Sequence, residues 1–331
     1  MTQAHLPPFS SHPLAPSRRA VLISTLGAGL AACVPKPAAT GGPIRIGTQR
    51  GGVLLIAKSR GLSASELAGT ASGVEWIEFP SGPPMIEALA AGALDLGLMG
   101  ESPPIFAQAS GAGIVYAAVQ PVTGASQAII TPNGSMITSL ADLRGKKVAF
   151  TKGSASHLFT IVALRSAGLI LTDVQATHLA PGEAMAAFSA GAIDAWAVWD
   201  PFYALALAQG GKVLTTAEGL FETNAFYVAS RRFAEERPEA LKALLDALAV
   251  HAAWGNVHRD AYSGLFAKAT GLPPAIAQAM QQRGSLAVEP VTEPVLALQQ
   301  KAADIFLRAG ALPSAVKVRE AAWTAWHPVE R

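Results

Sequence analysis

The stretch Ala91-Gly92-Ala93-Leu94-Asp95 returns, with one conservative change, as Ala190-Gly191-Ala192-Ile193-Asp194, 99 positions later. At that offset Leu89 meets Phe188 and Glu101 meets Asp200; after a one-residue drift Leu98 meets Val198. Upstream, Pro80-Ser81-Gly82-Pro83 stands where Leu179-Ala180-Pro181-Gly182 stands. Further upstream, Ile46-Gly47-Thr48-Gln49-Arg50-Gly51 and Val148-Ala149-Phe150-Thr151-Lys152-Gly153 each open a helix-like run. Those runs end at Arg60-Gly61-Leu62 and Ala167-Gly168-Leu169. One unit therefore occurs twice: strand, basic-Gly turn, helix, strand, Gly/Pro turn, helix, AGA(L/I)D, strand, acidic turn. Strands that alternate with helices imply parallel sheets with right-handed crossovers. Two copies are too few for a solenoid and make two lobes.

The strands of the two units are expected at 44–48, 74–79 and 94–98, and at 147–151, 175–179 and 195–199. Residues 112–120 and 126–131 read as strands that end the first lobe and lead out, and 224–230 as a strand that leads back. Beyond it the spacing predicts helices over 238–251, 260–270, 273–283 and 294–309. Pro238 and Pro273 fall where a helix can start. These helices are assigned to the first lobe as ordinary packing surfaces. The expected organisation is an α/β chain of two lobes, each a mixed, mainly parallel sheet flanked by helices. Lobe 1 takes 44–127 and 229–331, and lobe 2 takes 128–228.

Composition removes several classes of function. The 25 Lys+Arg and 23 Asp+Glu are nearly balanced and form no basic stripe, which argues against a nucleic-acid partner. One cysteine rules out a disulfide framework and any CxxC site. His12, His178, His251, His258 and His327 show no metal-ligand spacing, and neither a metal nor a cofactor is expected.

Residues 1–32 carry no acid and two bases, Arg18 and Arg19, followed by an uncharged run from Ala20 to Ala32. A basic start, an apolar stretch and small residues at its end describe a secretory signal peptide. Ser17-Arg18-Arg19-Ala20-Val21-Leu22 is similar to a twin-arginine export signal. Leu30-Ala31-Ala32-Cys33 is similar to a lipobox, in which Cys33 would receive a lipid. Residues 33–43 then read as a flexible tether. The expected location is periplasmic or extracytoplasmic, with a membrane anchor through Cys33 if it is lipidated.

Open α/β sheets bind ligands beyond the carboxyl ends of their strands. The turns there contain Gln49, Ser81 and Gly82, Glu101 and Ser102, Gly153 and Ser154, Gly182, and Trp199 and Asp200. A helix start offers unpaired N–H groups and about half a positive charge, so it can hold an anion without a lysine. Ser and Gly are also favoured as plain helix caps; six such turns on one face favour an anion site. Neither GxxxxGK[ST] nor a GxGxxG after a strand is present, which argues against ATP. Trp199 is placed to pack on a ligand's hydrocarbon part. Glu101 and Asp200 either bond a ligand amine or hydroxyl, or lock the lobes together. His157 is a donor, a capping partner or neither.

Several segments together resemble a known family: 46–52, Val-Glu-Trp-Ile-Glu-Phe-Pro-Ser-Gly-Pro-Pro at 74–84, 103–108, 143–154 and Ala-Trp-Ala-Val-Trp-Asp-Pro at 195–201. They resemble the aliphatic sulfonate-binding proteins of bacterial ABC importers, a group that also takes taurine and nitrate. The resemblance implies a two-lobed periplasmic binding protein fold of the type II kind, with lobes that close on ligand. It implies an alkanesulfonate as ligand, a membrane ABC permease as partner and a monomeric state. It marks Gln49, Ser81, Gly82, Ser102, Gly153, Ser154, His157, Trp199 and Asp200 as ligand-site residues, with Glu101 beside them. Taurine, nitrate or another small ligand remains the alternative. Arg50 stands where the family more often has Lys. An enzyme on this scaffold would need a cysteine nucleophile, and Cys33 lies at the export boundary, so no catalytic residue is assigned.

Overall fold

The computed structural model describes residues 41–284 and 286–328. The signal segment, Cys33 and most of the tether lie outside the described residues. The first unit runs β1 (Ile44–Thr48), α1 (Gly52–Arg60), β2 (Val74–Glu78), α2 (Gly82–Ala90), β3 (Leu96–Gly100), α3 (Ser102–Ala109) and β4 (Ile114–Val122). The second follows with β5 (Gln127–Thr131), β6 (Lys147–Phe150), α4 (Ala155–Ser166), β7 (Gln175–His178), α5 (Pro181–Ser189), β8 (Ala195–Trp199), α6 (Phe202–Ala208) and β9 (Lys212–Thr216). The chain then returns through β10 (Thr223–Ser230) and ends in α7 (Arg231–Glu236), α8 (Pro238–Val257), α9 (Arg259–Thr270), α10 (Pro274–Arg283) and α11 (Glu293–Arg308).

The strands form two five-stranded sheets, ordered β2-β1-β3-β10-β4 and β7-β6-β8-β5-β9. The first three positions of each are parallel, and the fourth strand is antiparallel to its neighbours. The duplication read in the sequence is thus a duplication of topology. In each sheet the fourth strand is the one by which the chain arrives from the other. β10 pairs in the first sheet from Thr223 onward, so the passage back falls within 217–222. The boundary expected at 228/229 lies inside β10, which pairs with β4 of the first sheet from Thr223 to Ser230. β9 was not anticipated: it is a half-exposed edge strand, with no alternating apolar face to betray it.

The repeated AGA(L/I)D stretch has one explanation in both places. Gly92 and Gly191 end α2 and α5 at φ 74° and 66°, a left-handed conformation that costs glycine little. The following aspartate then pins the start of the unit. Asp95 accepts from the Arg45 N–H at 2.8 Å and Asp194 from the Lys147 N–H at 2.7 Å. Asp95 also takes the Arg45 guanidinium at 2.6 and 3.2 Å. β3 consequently starts at Leu96, two residues later than expected, since Asp95 serves as this clasp.

Each sheet is covered on both faces, so its central strands are apolar throughout. In the first sheet Ile44, Ile46, Leu96 and Tyr227 face α1 and α8, while Met99, Tyr116, Phe226 and Val228 face α2, α3 and α11. In the second, Val148, Phe150 and Ala197 meet α4, while Trp196 and Val198 meet α5 and α6. Helix α4 also sends Leu158 and Ile161 into the core of the first lobe. The two crossings touch: the Ala217 N–H donates to the carbonyls of Gly124 and Gln127, both at 3.2 Å. A Cβ on Gly124 would stand 2.4 Å from the Glu218 nitrogen, so only glycine permits this approach.

Candidate functional site

The carboxyl ends of β1, β2, β3, β6, β7 and β8 all open toward one cleft between the sheets, about 680 Å³ in volume. Its lining includes Gly52, Gly82, Glu101, Ala155, Gly182 and Phe202, one residue from the start of each of six helices. α1, α2, α3 and α4 have no side-chain cap. Two of them have serine at the cap position, yet Ser81 makes no capping bond and the Ser154 hydroxyl donates to the Thr151 carbonyl at 2.7 Å. Elsewhere serine does cap: Ser230 Oγ accepts from the Phe233 N–H at the start of α7. The starts of α1, α2, α3 and α4 thus keep their N–H groups for something other than a capping side chain.

Six of the expected site residues line this cleft: Gln49, Gly82, Glu101, Ser154, Trp199 and Asp200. Gln49 donates from Nε2 to the Leu98 carbonyl at 3.1 Å, which holds it at the end of β1. Gly82 is required by packing, since a Cβ there would stand 2.6 Å from Pro103 Cγ. Glu101 is buried, and its carboxylate accepts from Ser102 Oγ at 2.8 Å and Thr223 Oγ1 at 2.9 Å. Burial pushes the Glu101 carboxyl above its ordinary pKa, against those hydrogen bonds. Trp199 ends β8 half-buried, while Trp196 is fully buried in the core.

Asp200 is engaged from the far wall. Arg283 at the end of α10 donates to it from Nε at 3.0 Å and from Nη2 at 2.9 Å. The Asp200 Oδ1 also accepts from the Ala204 N–H at 3.1 Å. Burial raises the Asp200 pKa despite the guanidinium. The Arg283 guanidinium carbon lies 4.5 Å from the centroid of the Tyr203 ring. One arginine thus joins α10, carried on the first lobe by α9 and α1, to the second lobe at two points. Of the two expected roles for Asp200, its observed partners are those of a lock.

The other four expected residues do not line the cleft. Ser81 and Ser102 are buried, and Ser102 is occupied with Glu101. Gly153 adopts φ 74° and lines a separate hollow of about 270 Å³ with Lys152 and Phe106. Its N–H donates to His157 Nδ1 at 3.2 Å. His157, one turn into α4, faces the joint between lobes. Its ring stacks on Phe150 at 5.0 Å and meets Phe306 at 5.1 Å. Burial, then the neighbouring His178 and Lys152, lower its pKa to about 4.

The sequence reading missed one wall entirely. α9 and α10, expected to be packing surfaces, supply Arg259, Tyr262, Phe266, Ala277, Met280 and Gln281 to the cleft. The crossings add Thr123, Gln127 and Asn224. The pair Tyr262 and Phe266, four apart on one helical face, is the only local signal, and it is shared with any core helix. Among the described residues no group of His, Cys, Asp and Glu could hold a metal ion, and no helix is long and apolar enough to cross a membrane.

Two lobes, two touching crossings and uncapped helix starts around a shared cleft define a solute-binding protein of the periplasmic type. Its lineage is equally plain. The chain belongs to the NMT1-like family, whose sequence model matches residues 42–268. An Escherichia coli K12 protein named for aliphatic sulfonate binding is 43% identical over 85% of this chain and 88% of its own length. The alkanesulfonate-binding protein SsuA of Xanthomonas axonopodis pv. citri, solved bound to MOPS, is 35% identical, with TM-score 0.81 over 85% of this chain and 98% of that one. The periplasmic aliphatic sulphonate binding protein SsuA of Escherichia coli is 40% identical, with TM-score 0.77 over 87% of this chain and 94% of its own.

Proposed function

We propose that this protein is the extracytoplasmic receptor of an ABC importer, binds an aliphatic sulfonate in the cleft, and hands it unchanged to a membrane permease. The observation that carries the reading is the convergence of four uncapped helix starts on a cleft whose opposite wall presents Tyr262, Phe266 and Met280. A sulfonate stays ionised at ordinary pH, so backbone donors recognise it by geometry and need no titrating partner. Several charge-assisted hydrogen bonds of about 1.5–3 kcal/mol each, with burial of an alkyl tail, suffice for the roughly −8 kcal/mol of a micromolar complex after association costs. Leu54, Trp199, Phe266 and Met280 offer surface to the tail.

The names of the relatives support the same ligand class, and their periplasmic location supports export of this chain. In this reading the protein acts as a monomer, residues 1–32 direct export, and Cys33 receives a lipid. Titration calorimetry with ethanesulfonate, taurine, nitrate and sulfate tests the assignment. Heat from a sulfonate is expected, and tighter binding than sulfate; a response to nitrate with none to any sulfonate would overturn it. Recovery of the ligand intact after incubation distinguishes a receptor from an enzyme.

A further inference from the structure

Buried polar atoms in proteins almost always have partners. Two that have none among the described residues, Gln127 Oε1 and Gln281 Nε2, belong to residues that line this cleft. Gln127 is only 3% exposed. It opens β5 directly opposite Trp199 in the sheet register. Gln281 lies near the end of α10, where its own carbonyl accepts from Arg259 Nη1 at 3.0 Å. α10 packs on α6 and on the turn Gly124–Ser126 that leads into Gln127. Both carboxamides therefore belong to the wall built by the crossing and α10, apart from the four uncapped helix starts.

We propose that this wall is a second polar subsite, and that the cleft selects sulfonates whose tail carries a hydroxyl. The inference rests on the sulfonate reading above. A sulfonate oxygen is an acceptor only and cannot satisfy Gln127 Oε1, which needs a donor. A plain alkyl tail would leave Gln127 Oε1 and Gln281 Nε2 without partners, and sites built this way reject ligands that lack the matching group. A hydroxyl donates and accepts, so it answers either amide in either orientation. The aromatic and thioether surface beside it, from Trp199, Phe266 and Met280, takes the methylenes in between.

The test uses ligand pairs that differ only by hydroxyl for terminal methyl: 2-hydroxyethanesulfonate with propanesulfonate, 3-hydroxypropanesulfonate with butanesulfonate, 4-hydroxybutanesulfonate with pentanesulfonate. Calorimetry on the full chain is expected to show one hydroxylated member binding at least about 10-fold tighter than its partner. In Gln127→Met or Gln281→Met, both close in volume, that preference within a pair should fall below about 3-fold. Equal or tighter binding of the methyl member in every pair overturns the inference on the wild-type protein alone, whatever the variants do. A preference that survives both substitutions overturns it too. Binding by no member of any pair instead overturns the sulfonate reading itself.

Discussion

Arg283→Met should weaken ligand binding by about 30-fold although Arg283 is not among the residues lining the cleft. The guanidinium makes two hydrogen bonds to Asp200, at 3.0 and 2.9 Å, with the two side chains 20% and 9% exposed. Charge-assisted bonds are worth about 1.5–3 kcal/mol each. The two share one pair of groups and water reaches the arginine, so about 2 kcal/mol is the reasonable net, with a small further contribution from the contact with Tyr203. The pair bridges lobes, so it exists only while the walls meet, and its loss lowers the closed fraction. Apparent affinity falls by the same factor, and about 2 kcal/mol is roughly 30-fold. Calorimetry at pH 7.5 on wild type, Arg283→Met, Asp200→Asn and the double variant measures it as a cycle. In the Arg283→Met background, Asp200→Asn should cost almost nothing more. Affinity within 2-fold of wild type for Arg283→Met would refute the lock. A full further loss on adding Asp200→Asn would show that Asp200 meets the ligand itself.

Three other outcomes follow from packing and charge. The His157 pKa, ordinarily 6.5, is about 4 in the fold. Between those values the unfolded chain holds the proton and the folded chain does not, so this group's contribution is complete above pH 6.5 and is lost as pH falls toward 4. It amounts to about 3 kcal/mol; urea unfolding at pH 7.5 and 4.5 should show it as the part of the pH effect that His157→Phe abolishes. Gly82→Ala drives a methyl against Pro103 and should lower stability by about 1–3 kcal/mol, read as a fall in Tm. Glu101→Gln keeps one oxygen acceptor for one of the two hydroxyls, lets the other hydroxyl turn to accept from the new Nε2, and relieves a buried charge, so unfolding free energy and ligand affinity should both stay close to wild type; a large loss of affinity for an amino-sulfonate alone would assign Glu101 to the ligand.

The sequence by itself determined the repeated unit. Strand, turn, helix and the aspartate clasp are local patterns, and each acts over the same span in both copies: Asp95 on Arg45 and Asp194 on Lys147. It also determined which turns lie at strand ends, because the parallel βαβ geometry sends every such turn to one side of the sheet. It did not determine which turn residues face the ligand. Ser154 and His157 lie three residues apart on the same helix start, yet one lines the cleft and the other fills the joint between lobes. That choice belongs to the rotation of α4 against α3 and α11, which only packing sets. The wall from α9 and α10, the bond of Arg283 to Asp200 across 83 residues, and the burial of Gln127 Oε1 and Gln281 Nε2 without partners are likewise products of tertiary structure. Each joins segments remote in the chain, and apolar spacing on a helix has the same form whether it faces a core or a ligand.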